Sequence, residues 1–202
     1  MTGILSRAIK WGARAVWYAT RHFRYVRWYL YHCLLGPFGF RHIGRGTRFN
    51  GAVRFEKPLS NVSIGTNCMI GVGCYFLTDQ GGSIEIGDNV GINDHCYITS
   101  VSHVCIGDDV SIAEFVSVRD FDHGFEGVDE PIRKQPLKAS PIRIERGVWI
   151  GRGVMITRGV TIGEECVIGA NSVVTRDIPP YSVAVGVPAR VIRSRRAEGG
   201  HQ

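Results

Sequence analysis

Hydrophobic positions between Ile144 and Pro179 fall on a six-residue beat: Ile144, Ile150, Ile156, Ile162, Ile168 and Val174 each lead a hexapeptide. Most are followed by Gly or a small or polar residue, and four positions on by a small or β-branched one: Val148, Val154, Val160, Cys166 and Ser172. A period of six is a multiple of two but not of the helical repeat of about 3.6, so the pattern is neither a helix nor simple strand alternation. Sustained hexapeptides predict an all-β solenoid in which each unit supplies one short, flat strand. Traced upstream, the beat runs through Ile43, Phe49 and Phe55; Ile64, Ile70 and Phe76; Ile86, Ile92 and Ile98; and Ile106, Ile112 and Val118, for about six coils in all. It is interrupted by an insertion at Lys57-Pro58, a turn at Asp79-Gln80-Gly81-Gly82 and a two-residue slip near Val101. It stops from about Phe121 to Pro141, and an unpatterned stretch of that length at a solenoid corner is expected to protrude as a functional loop, residues 121–141.

The first forty residues read differently. Residues 4–35 contain no Pro and one Gly, Gly12, which predicts an α-helical extension that Gly36-Pro37 ends. The chain thus divides into a basic, aromatic extension over 1–40 and a solenoid domain over 41–196. Residues 1–55 carry ten Arg or Lys and no acid, leaving 14 basic and 18 acidic residues, or −4, for the rest of the chain. Arg7, Lys10, Arg14, Arg21 and Arg24 share one helical face among Trp11, Trp17, Tyr18, Tyr25, Trp28 and Tyr29. That combination suits the surface of a membrane with anionic lipid, and equally a helix packed on the solenoid or on a neighbouring subunit; nucleic acid is not an expected partner.

Of the six cysteines, Cys68, Cys74, Cys96 and Cys166 sit four residues after a repeat aliphatic, at the small inward position, and no Cys-x-x-Cys pair occurs. They are expected to be reduced packing residues, which points to the cytoplasm, with peripheral contact at the inner face of the membrane as the extension's contribution. No apolar run approaches the length of a membrane span.

The repeat resembles that of the hexapeptide-repeat acyltransferases, and the chain is similar to the sugar O-acetyltransferases of the maltose and galactoside type. The resemblance covers residues 43–193 and implies a left-handed parallel β-helix, three hexapeptides to a triangular coil, assembled as a homotrimer with sites between subunits. In that family the catalytic histidine stands at the start of the protruding loop, 17 residues after the Ile of an Ile-Gly-Asp, and here Ile106-Gly107-Asp108 precedes His123 by that interval. An acceptor-binding Asn stands 30 residues before the histidine, which is Asn93. Related members often read Asp-His-x-His-Gly at this loop; here Phe121 replaces the first His, leaving His123 as the loop's one imidazole.

The resemblance implies direct acyl transfer from acetyl-CoA, a donor substrate rather than a resident cofactor, to a hydroxyl of a sugar, glycan or glycolipid precursor. His123 is the expected general base, and Asp122 or Glu126 the expected acid fixing its tautomer, with Asp122 at a nominally inward position. Donor contacts carry over to Trp149, Arg152, Ala170, Thr175, Arg176, Arg190 and Arg193; Arg152 stands where the pattern has Ser, and Arg176 where it has Lys. An amino-sugar N-acetyltransferase or a longer-chain acyltransferase fits the same residues. Two remoter readings are a γ-carbonic-anhydrase-like zinc enzyme using His95, His103 and His123, although that family's His-x₄-His pair is missing, and a non-enzymatic trimeric scaffold.

Overall fold

The computed structural model describes residues 40–56 and 59–196. The expected N-terminal helix and its membrane or packing role therefore lie outside the described residues.

Every hexapeptide leader lands where the periodicity puts it. The chain winds through three parallel sheets, one strand of each per coil. The first face stacks His42–Ile43, Val62–Ile64, Ser83–Ile86, His103–Ile106, Ile142–Ile144 and Thr161–Ile162. The second stacks Arg48–Phe49, Met69–Ile70, Gly91–Ile92, Ser111–Ile112, Trp149–Ile150 and Val167–Ile168, then Ser182–Val185 and the antiparallel Arg190–Ser194. The third stacks Arg54–Glu56, Tyr75–Thr78, Tyr97–Ser100, Ser117–Arg119, Met155–Ile156 and Val173–Val174. The result is an all-β solenoid of six coils, the left-handed parallel β-helix.

Its core is a set of ladders. Ile64, Ile86, Ile106, Ile144 and Ile162 stack on one face, and Ile70, Ile92, Ile112, Ile150 and Ile168 on the next, all buried. The first coil is closed by aromatics: Phe55 stacks on Phe76 at 4.9 Å between centroids and meets Phe40 edge-on at 4.7 Å. Cys68, Cys74, Cys96 and Cys166 are buried and unpaired, each thiol directed at a carbonyl of the following coil 3.0–3.1 Å away. Burial holds the Cys68 and Cys166 thiols above their ordinary pKa, so they act as small apolar residues.

The corners explain the residues after each leader. The Asp88 carboxylate accepts from the Thr66 N–H of the preceding coil at 2.6 Å, and Asp108 from the Asp88 N–H at 2.8 Å. A Cβ on Gly65 or Gly87 would strike that incoming carboxylate, so the Ile-Gly-Asp triplets are a packing device. One position on, each turn needs a left-handed residue, supplied by Asn67, Asn89, Asp109, Gly147 and Glu165 between the first and second faces.

Alternation within one strand gives a direct test. Ile150→Ala removes a fully buried ladder residue and should lower stability by about 2–5 kcal/mol in urea unfolding. Trp149→Ala, on the exposed side of the same strand, should change it by under about 0.5 kcal/mol.

Candidate active site

The loop at 121–141 leaves the third face after Arg119 and rejoins the first face at Ile142, so it springs from the corner between them. The sequence suggested an unpatterned excursion; the structure gives it an ordered base. Phe121–His123 pairs antiparallel with Leu137–Ala139, in register Phe121 to Ala139, Asp122 to Lys138 and His123 to Leu137. A short 3-10 turn, Ile132–Lys134, lies at the far end.

Asp120 fixes the root. It is fully buried and its carboxylate accepts three hydrogen bonds: from the Ser100 hydroxyl at 2.6 Å, the Val101 N–H at 2.9 Å and the Ser102 N–H at 3.0 Å. Its backbone carbonyl accepts from the Ser140 N–H at 2.9 Å, which closes the hairpin. Gln135 braces the tip from inside. It accepts from the Gly127 N–H at 3.1 Å and donates to the carbonyls of Gly127 at 2.7 Å and Glu130 at 3.0 Å. Sequence reasoning missed both residues. Asp120 was legible, because alternation from Val118 continues inward and puts it on the rung below Thr78 and Ser100.

His123 is exposed at the end of this braced strand. Asp122 does not occupy the inward position expected for it; it is exposed and pairs with Arg158 of the next coil at 3.0 Å, because the hairpin bends away from the solenoid after Asp120. Glu126 pairs with Lys138, which holds its carboxyl below the usual range. Among the described residues, then, the two acids expected to orient the imidazole are engaged by Arg158 and Lys138.

The other candidates lie at two corners and on the second face. Asn93, Arg152 and Ala170 are exposed at the turns between the second and third faces, on the third, fifth and sixth coils. Thr175 and Arg176 are exposed at the corner between the third and first faces, below the root of the His123 loop. Trp149 projects from the second face, and Arg190 and Arg193 from the strand that ends it. The Arg152 side chain is engaged, with Nε 3.0 Å from Glu114 and its guanidinium 5.1 Å from the Phe115 ring centre. The three histidines considered for zinc are dispersed: His95 stacks on Phe115, His103 bonds Ser83 on the first face at 2.8 Å, and His123 is on the loop.

Comparison with known proteins agrees with this architecture. The family described as bacterial transferase hexapeptide (six repeats) matches residues 141–176, and the hexapeptide repeat of succinyl-transferase matches 61–100. A protein of Escherichia coli, provisionally named a lipopolysaccharide biosynthesis O-acetyl transferase, is 35% identical over 156 residues, covering 72% of this chain and 80% of its own. The solved galactoside acetyltransferase in complex with coenzyme A is 35% identical with a TM-score of 0.58, over 78% of this chain and 66% of that one. AntD, an N-acyltransferase from Bacillus cereus solved with dTDP-4-amino-4,6-dideoxyglucose and coenzyme A, gives a TM-score of 0.70 at 25% identity, over 81% and 89%. The chain spans 63% of the length of the first curated relative it matches and 80% of the second. It belongs to the hexapeptide-repeat acyltransferases, the class its coils and corners define, and among them it is similar to sugar O-acetyltransferases.

Gln135→Ala, which strips the three internal bonds of the loop, should expose the Gly124–Lys134 segment to limited proteolysis while the coils stay protected. Mass mapping of the first cleavage products checks this.

Proposed function

We propose that the chain transfers acetyl from acetyl-CoA to a hydroxyl of a sugar, glycan or glycolipid precursor, with His123 as general base. The observation that carries this reading is the exposed imidazole at the end of a hairpin whose root and tip are both fixed from within. In the reaction His123 removes the acceptor's hydroxyl proton as the oxygen bonds to the thioester carbonyl carbon. The carbon–sulfur bond then breaks, and the CoA thiolate leaves with the proton from the imidazolium. Asn93 orients the acceptor. Trp149, Ala170, Thr175 and the guanidinium groups of Arg176, Arg190 and Arg193 receive the donor, the arginines at its phosphates. Arg152, committed to Glu114, contributes through its backbone.

His123 and Asn93 stand at opposite ends of the third face in one chain, so a working site takes them from two copies. A homotrimer with its third faces toward the axis brings the His123 corner of each copy to the Asn93 corner of the next. The outward column of that face supports this, since Tyr75, Tyr97, Ser117, Met155 and Val173 follow one another in register with Tyr97 and Met155 exposed. The free buried thiols support a reducing, cytoplasmic setting. The basic aromatic segment 4–35 suits contact with the inner face of the membrane, where a lipid-linked acceptor would be presented.

Transfer to the amine of an amino sugar is the second reading, favoured by the likeness to an N-acyltransferase solved with an amino-sugar nucleotide. The same base serves either nucleophile. Calorimetric titration should show saturable acetyl-CoA binding at about one site per chain, tighter than octanoyl-CoA, and an acceptor screen read by thiol release separates hydroxyl from amine. His123→Ala should lower kcat by about 10²–10⁴-fold with donor binding unchanged. Full turnover by that variant, or no binding of either donor, contradicts the reading.

A further inference from the structure

One hydroxyl on the third face has no partner. Thr99 Oγ1 is the one buried side-chain nitrogen or oxygen among the described residues that makes no hydrogen bond. Buried polar groups are nearly always paired, so an orphan of this kind calls for a cause. Thr99 lies between the inward residues Ile98 and Ser100, and its side chain therefore faces outward. It is nevertheless only 6% exposed, because its neighbours on that face close over it. Leu77 precedes it in register and Arg119 follows it on the next coil. A valine would fill the same place with no polar group to bury, so folding alone does not ask for the hydroxyl.

The residue beside it carries an unmatched charge. Arg119 is exposed and makes no hydrogen bond or ion pair among the described residues; its guanidinium lies 5.5 Å from the centre of the Phe121 ring. Arg158 on the next coil, by contrast, is matched by Asp122 at 3.0 Å. Phe121 is half-buried, and His123 follows it two residues on, along the same side of the hairpin strand. Thr99, Arg119, Phe121 and His123 thus form a line that leads from an orphan hydroxyl and a free cation, past an apolar ring, to the imidazole. Four residues of extended chain put Arg119 and His123 at most about 13 Å apart.

We propose that Thr99 and Arg119 bind an anionic group, phosphate or carboxylate, on the acceptor, and that Phe121 carries the sugar between this group and His123. The inference rests on the acetyl-transfer reading above and names its acceptor as an acidic sugar. A guanidinium offers an oxyanion paired N–H donors, and the threonine hydroxyl adds a further one. Arg119, held by no hydrogen bond, exchanges an exposed contact with the Phe121 ring for a charge-assisted bond to the anion. The same turn of the side chain uncovers the Thr99 hydroxyl and frees the ring. An anion fixed at that distance from the base selects which hydroxyl of the sugar meets the imidazole.

Calorimetric titration of the full chain with glucose 6-phosphate, glucuronate and glucose, which differ only at carbon 6, tests this at one ionic strength. The chain is first saturated with CoA, so that the arginines proposed for the donor are occupied. One of the two acidic sugars should bind at least about tenfold more tightly than glucose, the scale of a charge-assisted hydrogen bond, and the tighter one identifies the anion. Arg119→Gln should abolish that preference and Arg119→Lys should keep part of it. Thr99→Val should reduce it about threefold or more, with its urea unfolding midpoint unchanged or raised, because the substitution removes an unpaired hydroxyl. Equal affinities for the three sugars, no binding of any of them, or a preference that survives Arg119→Gln overturn the subsite. A Thr99→Val chain with altered self-association and an unaltered preference also overturns it and gives the hydroxyl to a neighbouring copy. Thiol release from acetyl-CoA is read separately with the same sugars. A preference that depends on Arg119, without acetyl transfer to any sugar, sinks the acetyl-transfer reading and leaves the anion subsite standing. Transfer to glucose as fast as to the acidic sugars, and indifferent to Arg119→Gln, sinks the subsite alone.

Discussion

The structure depends on like stacking on like. Each inward aliphatic rests on the residue in the same position one coil away, and the backbone N–H and C=O groups of the strands pair along that same axis. This constraint fixes residue size at every rung and forbids any drift in phase, since a one-residue slip turns the ladder outward. It also forces all variation to the corners, where a turn can be Gly-Asp-Asn, a bare two-residue slip or a protruding loop without disturbing the rungs. Function is therefore confined to corners and to outward columns.

From that confinement the site follows. Asn93 lies at the edge where the third face begins on one coil and His123 beyond the edge where it ends on the next, so the two stand on opposite sides of that face. The protein uses a hairpin to carry the imidazole outward, and anchors it with a buried carboxylate whose three donors come from the preceding coil and turn. Its burial is matched by these three bonds, each from an oriented hydroxyl or backbone dipole. The internal Gln135 bonds serve the tip in the same way. An ordered loop on a regular prism suits the two-copy site proposed above, in which the reacting groups must be held in fixed geometry.

Much of this was legible in the sequence because a six-residue period is a long-range statement made locally. Ile144 through Val174 specified not only strands but their register, since stacked coils must align like positions. The inward thiols and the place of the loop followed from the same count. Asp122 was misplaced because the count was carried three residues beyond the end of the third-face strand; alternation holds through Asp120, and then the hairpin begins. Gln135, Arg158 and the His95–Phe115 column could not be read in advance. Each depends on residues brought together from different coils or across the loop, and no period within the loop signals them.

Complementation between two inactive forms tests the central claim, that one site draws on two copies. His123→Ala and Asn93→Ala chains, each purified and each expected to be nearly without turnover, would be unfolded together, refolded as mixtures and assayed for acetyl transfer. The account predicts that activity returns on mixing, because some interfaces then pair an intact His123 from one chain with an intact Asn93 from its neighbour. Mixtures no more active than the separate variants, in assemblies shown to contain both chains, would contradict it.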